Sequence, residues 1–408
     1  MSDRRRIFPG WFVIGAVFIQ LMTSSGLAFY GLAIYLDALT DEQSFSTTSV
    51  SLATSVFFIV AGVVGQLVAH LIERYDLRII VGAGGAVCAT SLFLLGRVTS
   101  VTQLYAVYIL FAVGFALSSL IPSTTLVTRW FRVRRATALS IASTGLSAGA
   151  FTLSAPASAL IDARGLADAA PLLGLVYLGL TLLVLPWLWP SPESRGTVPD
   201  GDRATGSPAP AAGGVTYERA IRTRFFAIVT AAFILAMGAQ VGGLSQIANL
   251  GSERVDRAAG AAAITALAIG SAIGRLIGGV FADRVPLVRL AAALSFGQGV
   301  ALVGIGLADS RGSLIVIAFF FGTTIGNLLM LQPLIVAAGF GLIGYPRIFA
   351  LLNLLVTAGV AGGPFLLGFL RDQSSYRTSY AVAGGLSVAA SAVFTATRVP
   401  RPSPETVV

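Results

Sequence analysis

Residues 264–284 read ITALAIGSAIGRLIGGVFADR, from Ile264 to Arg284: an apolar run broken by one charge, Arg275, and closed by Asp283-Arg284. A helix on the surface of a soluble protein pairs its apolar stripe with a charged one. This run has no charged stripe. Its length matches the roughly 20 apolar residues that a helix needs to cross the hydrocarbon core of a bilayer. The rest of the chain agrees: of its 408 residues 55% are apolar and 11% charged, against roughly 45–50% and 25% in soluble domains. Mean hydropathy is +0.84. So few charges cannot cover a soluble surface, and the composition predicts a polytopic membrane protein.

Similar runs fall near 11–37, 48–72, 79–97, 104–128, 136–161 and 171–189, and after a break near 224–249, 259–281, 289–308, 313–342, 347–370 and 379–397. They predict an all-α fold with twelve transmembrane helices in two pseudo-symmetric six-helix bundles. The first run, from Trp11, is too long for a signal-peptide core and lacks a cleavage site, so it is expected to remain as a span. Residues 190–223 are rich in Pro, Gly, Ser and charge and read as a flexible linker. The expected organisation is an N-terminal bundle over 1–189, a linker over 190–223 and a C-terminal bundle over 224–408. The halves echo each other at an offset of about 210 residues: Glu73-Arg74 answers Asp283-Arg284, and Pro122 answers Pro333. Duplicated bundles are a common frame for carriers with a site at the membrane midplane.

All 27 basic residues are Arg. On the expected topology 19 lie on the side of the N-terminus, 7 on the other, and Arg275 within the membrane. The positive-inside rule then places both termini and the linker in the cytoplasm, with the bacterial inner membrane as the expected location. The same asymmetry accounts for the net charge of +9 without nucleic acid as a partner. A lone Cys88 excludes intrachain disulfides and a lone His70 excludes a His-cluster metal site. No cofactor is expected. No span carries a nucleophile–base pair or a metal-ligand cluster, so an enzyme is not expected either.

The segment GRLIGGVFADR, Gly274 to Arg284, resembles the signature loop G-x-x-x-D-R-x-G-R of the major facilitator superfamily, and LIERYDLR, Leu71 to Arg78, resembles a degenerate first copy. There Glu73 replaces the motif's aspartate and Asp76 stands at the usual glycine. The resemblance implies a major facilitator fold and a gating motif comprising Glu73, Arg74, Arg78, Gly279, Asp283 and Arg284. Small residues let helices approach, and charges at a helix end can exchange ionic partners during transport. Within the superfamily the chain looks most like the monocarboxylate and oxalate–formate branch. That likeness rests on PGWFVIGAVF at Pro9–Phe18, on TRWFRVRRATALSIASTG at Thr128–Gly145, and on an Arg eight residues before Asp283. In that branch the eighth-span arginine binds substrate carboxylate, and Arg275 matches it. Ser271 occupies a position where animal monocarboxylate carriers place an acid, and Val356 lies near the lysine position of oxalate carriers. The missing lysine speaks against a dianionic substrate.

Arg275 stands out without any family. It lies about 12 Å inside its helix end, where an arginine costs about 2.5–3.5 kcal/mol on insertion scales. Asp37, Asp41, Glu73 and Asp283 all fall near span ends. Arg275 therefore either snorkels past Gly278 and Gly279 or faces a wet cavity where an anion completes it. A planar guanidinium suits a carboxylate through two parallel hydrogen bonds. Neutral groups at similar depth are Ser119, Ser143, Asn327 and Asn353, with Tyr30 and Gln240 toward the outer half. For each serine the competing reading is a bond to its own helix backbone. Protonatable groups are confined to the edges, at Asp37, Glu42 and His70.

The expected activity is secondary transport of a small organic monoanion, with a proton or counter-anion as co-substrate and the bilayer as the only other partner of a monomer. Export of larger amphipathic compounds is the competing transport reading, though Gly145, Gly149 and Pro156 give only a fragment of the exporters' glycine-rich fifth-span pattern. A non-transporting membrane receptor is the alternative from another class.

Overall fold

The computed structural model describes residues 8–41, 45–201 and 214–397. The chain divides into two compact units, Met1–Ala211 and Ala212–Val408. Among the described residues twelve helices are long and apolar enough to span a bilayer. The first unit holds α1 Gly10–Thr40, α2 Leu52–Arg74, α3 Leu77–Leu95, α4 Val101–Trp130, α5 Arg135–Arg164 and α6 Leu166–Trp187. The second holds α7 Arg224–Arg254, α8 Ala258–Ala282, α9 Leu287–Leu307, α10 Arg311–Phe340, α11 Tyr345–Gln373 and α12 Tyr376–Thr395. This is the all-α, twelve-span fold that the apolar runs predict.

Short polar turns start the helices because a side chain there can satisfy otherwise unbonded N–H groups. Asp76 accepts from Arg78 N–H at 2.9 Å at the start of α3. Ser310 and Ser313 form a reciprocal capping box ahead of α10. Asp76, where the superfamily's glycine is expected, thus has a local job as a cap.

Both units use one packing scheme. In the first, α1 packs on α5, α2 on α4 and α3 on α6; in the second, α7 packs on α11, α8 on α10 and α9 on α12. Lipid is as apolar as the side chains, so close packing rather than water exclusion holds such helices together. Glycine makes it feasible. A methyl group at Gly26 would lie 2.6 Å from the Gly149 carbonyl, so α1 and α5 meet backbone to backbone.

Two spans carry π turns at this contact, Ser25–Phe29 in α1 and Ala150–Ser154 in α5. The loosened backbone is satisfied by hydroxyls: Ser154 Oγ donates to Gly26 O at 2.8 Å and Ser25 Oγ to Leu146 O at 2.7 Å. In α4 the helix breaks at Ser119, where φ is −105° and ψ −127°. Pro122 has no N–H to offer the carbonyl four residues back. That carbonyl, Ser118 O, instead accepts from the Gln20 amide of α1 at 3.1 Å.

The region 190–223 departs from a free linker at both ends. In the first unit, Arg132, Val133 and Arg134 donate their backbone N–H groups to the Asp200 carboxylate at 2.8, 2.8 and 3.2 Å. In the second, Val215 N–H donates to Phe340 O at 2.8 Å, and Arg347 lies over the Tyr217 ring and 3.5 Å from Glu218. Composition signals such a stretch as linker because it lacks apolar residues. Its backbone and carboxylate bonds leave no trace in hydropathy.

Candidate functional site

The α8–α10 contact builds the surroundings of Arg275. On α8, Gly270, Gly274 and Gly278 recur at every fourth position, which aligns them on one helix face. A methyl group there would meet, in turn, the Phe319 carbonyl, the Thr323 carbonyl and the Asn327 amide of α10. On α10, Gly322 likewise abuts the Leu267 carbonyl. Gly326 lies against the Arg275 side chain itself: a methyl carbon built there would be 2.5 Å from Arg275 Nε and 2.7 Å from Ser271 O.

Arg275 is 5% exposed, the one charged side chain among the described residues that is buried. Its Cγ and Nε lie against α10 at Gly326. Neither α8 nor α10 carries Asp or Glu within its span.

The other candidates divide between the units. Asn327 is buried, and its Nδ2 donates to Gly274 O at 2.8 Å and to Thr323 O at 2.7 Å. Both of its N–H groups are thus engaged within the helix pair. Gln240 is buried on α7, and Asn353 is half-buried on α11. In the first unit Ser119 sits at the α4 break, its Oγ accepting from Ser24 Oγ at 3.5 Å. Ser143 Oγ donates to the Ser140 carbonyl at 3.1 Å, a bond within its own helix of the kind the sequence left open. Tyr30 is exposed just after the π turn of α1, edge-on to Phe29.

The motif residues lie at helix ends. Glu73, exposed at the end of α2, interacts electrostatically with Arg129 of α4. Arg74 is exposed, and Arg78 Nε donates to Leu188 O at 3.2 Å. Gly279 is buried, Asp283 caps the end of α8 and Arg284 is exposed. Of the protonatable edge groups, His70 is exposed with Nδ1 2.9 Å from Gln66 O of its own helix. Glu42 and the side chains of Asp37 and Asp41 lie outside the described residues. Among those described, no group of His, Cys, Asp and Glu is arranged to hold a metal ion.

Two features escaped the sequence. Gln20 is 1% exposed and bridges α1 to the α4 break; a glutamine inside an apolar run was the available signal. Gly326 touches Arg275, and its signal was the four-residue spacing from Gly322.

The pairing of α8 with α10 and its repetition by α2 with α4 tie this site to a duplicated twelve-helix frame. Residues 16–344 match the model of the Major Facilitator Superfamily. The chain belongs to the major facilitator superfamily. Relatives include human monocarboxylate transporter 11, 29% identical over 94% of this chain and 82% of its own length. Another is rat monocarboxylate transporter 13, 26% identical over 94% and 88%. Among solved superfamily structures, the E. coli fucose:proton symporter superposes with a TM-score of 0.73, at 14% identity, over 96% of this chain and 99% of that one. The symporter likeness concerns the fold alone.

Proposed function

We propose that this chain is a secondary active transporter that moves a small organic monoanion, a monocarboxylate, by alternating access, with Arg275 binding the carboxylate. The observation that carries the reading is the buried guanidinium of Arg275, seated on Gly326 near the middle of an apolar helix. A buried cation at that depth is costly, and in membrane proteins such a residue characteristically marks a substrate or ion pathway. The monocarboxylate transporters among its relatives, which the chain matches over nearly all its length, favour the same substrate class.

Asn353, Gln240, Tyr30, Ser119 and Ser143 are proposed as neutral groups around the substrate, and Asn327 as the clamp that holds α10 on α8. Glu73, Arg74, Arg78, Gly279, Asp283 and Arg284 are assigned to gating. The protein is an integral membrane protein; its arginine-rich side, with both termini, is proposed to face the cytoplasm of a bacterial cell.

The test is counterflow in proteoliposomes with short monocarboxylates, dicarboxylates and cationic dyes. Selective exchange of a monocarboxylate supports the reading. Selective exchange of dyes would replace it with export of amphipathic compounds, and no exchange of any solute would favour a receptor. Repeating uptake with and without an imposed pH gradient distinguishes proton symport from anion exchange.

A further inference from the structure

We propose that Gly326 is a positioning residue for the Arg275 guanidinium, and that its missing side chain sets the orientation in which the carboxylate is held. This inference rests on Arg275 being the anion-binding group. A helix interior usually favours alanine over glycine by about 1 kcal/mol, so a glycine here calls for a local reason. The reason is on the facing helix: position 326 abuts Arg275 Cγ and Nε together with the Ser271 carbonyl. The guanidinium plane is fixed at Nε, and a fork of donors grips a carboxylate only when that plane is aligned. A methyl group at 326 evicts Nε from its seat and rotates the fork, while the net charge is untouched.

The experiment compares Gly326→Ala with Gly322→Ala, both read by counterflow of the best monocarboxylate. Gly322→Ala collides with the backbone of Leu267 on the same pair of helices, about two turns of α8 from Arg275, without touching the guanidinium stem. Positioning predicts a KM rise of about tenfold to hundredfold for Gly326→Ala, the worth of a charge-assisted hydrogen bond. It predicts a much smaller rise for Gly322→Ala. Equal effects at both positions, or an unchanged KM for Gly326→Ala, would overturn it. If Gly326→Ala is not monodisperse after purification, Asn327→Ala loosens the same helix contact without a collision; an unchanged KM there overturns the inference as well. Arg275→Ala separates the two levels. Normal affinity in Arg275→Ala removes the anion-site reading itself, whereas lost affinity there with wild-type affinity in Gly326→Ala removes only the role of Gly326.

A different observation carries a second inference. We infer that residues 188–200 form a strap that locks the turn between α4 and α5 to the end of the first unit. Asp200 is the one non-glycine residue among those described with positive φ, at 61°, a conformation that persists only where surroundings hold it. Its carboxylate accepts three consecutive N–H groups, a nest for an anion. Trp130 Nε1 donates to Trp189 O at 2.8 Å. The Trp187 and Trp189 rings meet, as do those of Trp130 and Trp189, and Trp11 packs on Phe131. All four tryptophans of the chain therefore report on this one surface. Asp200→Gly removes the carboxylate but accepts the positive φ. The expected result is stronger iodide quenching of tryptophan emission, faster protease cleavage within 190–200, and lower turnover at unchanged KM. Unchanged quenching and cleavage would overturn the strap, and unchanged turnover despite increased quenching would overturn its role as a lock.

Discussion

A lysine at position 275 would keep the charge of Arg275 and lose its geometry. The ammonium is compact, more strongly hydrated and unable to present two parallel donors. Arg275→Lys should therefore insert and fold normally yet lose about tenfold to hundredfold in apparent affinity for a monocarboxylate. Uptake by equal amounts of reconstituted protein at subsaturating substrate checks this, and near-equal rates would remove the main support for a carboxylate substrate. Arg275 was legible because a lone charge in an apolar run has no topological purpose. Gly326 was not, since it is one of 46 glycines and only the facing helix shows what its missing side chain accommodates.

Single helices show how far a local signal reaches. Pro122 announces a break in α4, but the partner that repairs it, Gln20, lies 98 residues earlier than Ser118. Gln20→Leu leaves the Ser118 carbonyl buried without its donor and should cost about 1–3 kcal/mol, measured as resistance to unfolding in mixed detergent. An unchanged unfolding midpoint would mean that α4 closes its own break. The paired π turns of α1 and α5 gave no sequence signal, because they depend on hydroxyls supplied across the helix contact. At the far end of α8, Asp283 terminates the helix, well removed from Arg275 along the span. Asp283→Asn should slow turnover more than it weakens substrate binding, because a helix-end charge biases the exchange between states rather than the ligand contact. Equilibrium binding measured beside counterflow rates decides this; weakened binding at full turnover would contradict a gating role.

On the scale of the whole molecule, two units with one packing scheme reproduce the duplication seen in Glu73-Arg74 and Asp283-Arg284. The side on which the chain's arginines gather should be cytoplasmic. Cys88 is fully buried, which makes the native chain a quiet background for labelling. A Thr205→Cys variant in right-side-out bacterial membranes should resist an impermeant maleimide until the membrane is opened. Labelling from outside intact membranes would invert the topology.

Span number and fold class were set by the sequence itself, since the cost of exposing polar groups to lipid acts on each apolar run independently of its neighbours. The same holds for the recognition of Arg275, whose anomaly lies in the local composition around it. What the tertiary structure decided are the pairwise matters. It brought Gly326 to Arg275, used both N–H groups of Asn327 to fasten α10 to α8, joined Gln20 to the α4 break, and docked Asp200 on the turn at 132–134. Each depends on close approach between segments distant in the chain, and hydropathy, which sums over one segment at a time, carries no term for it.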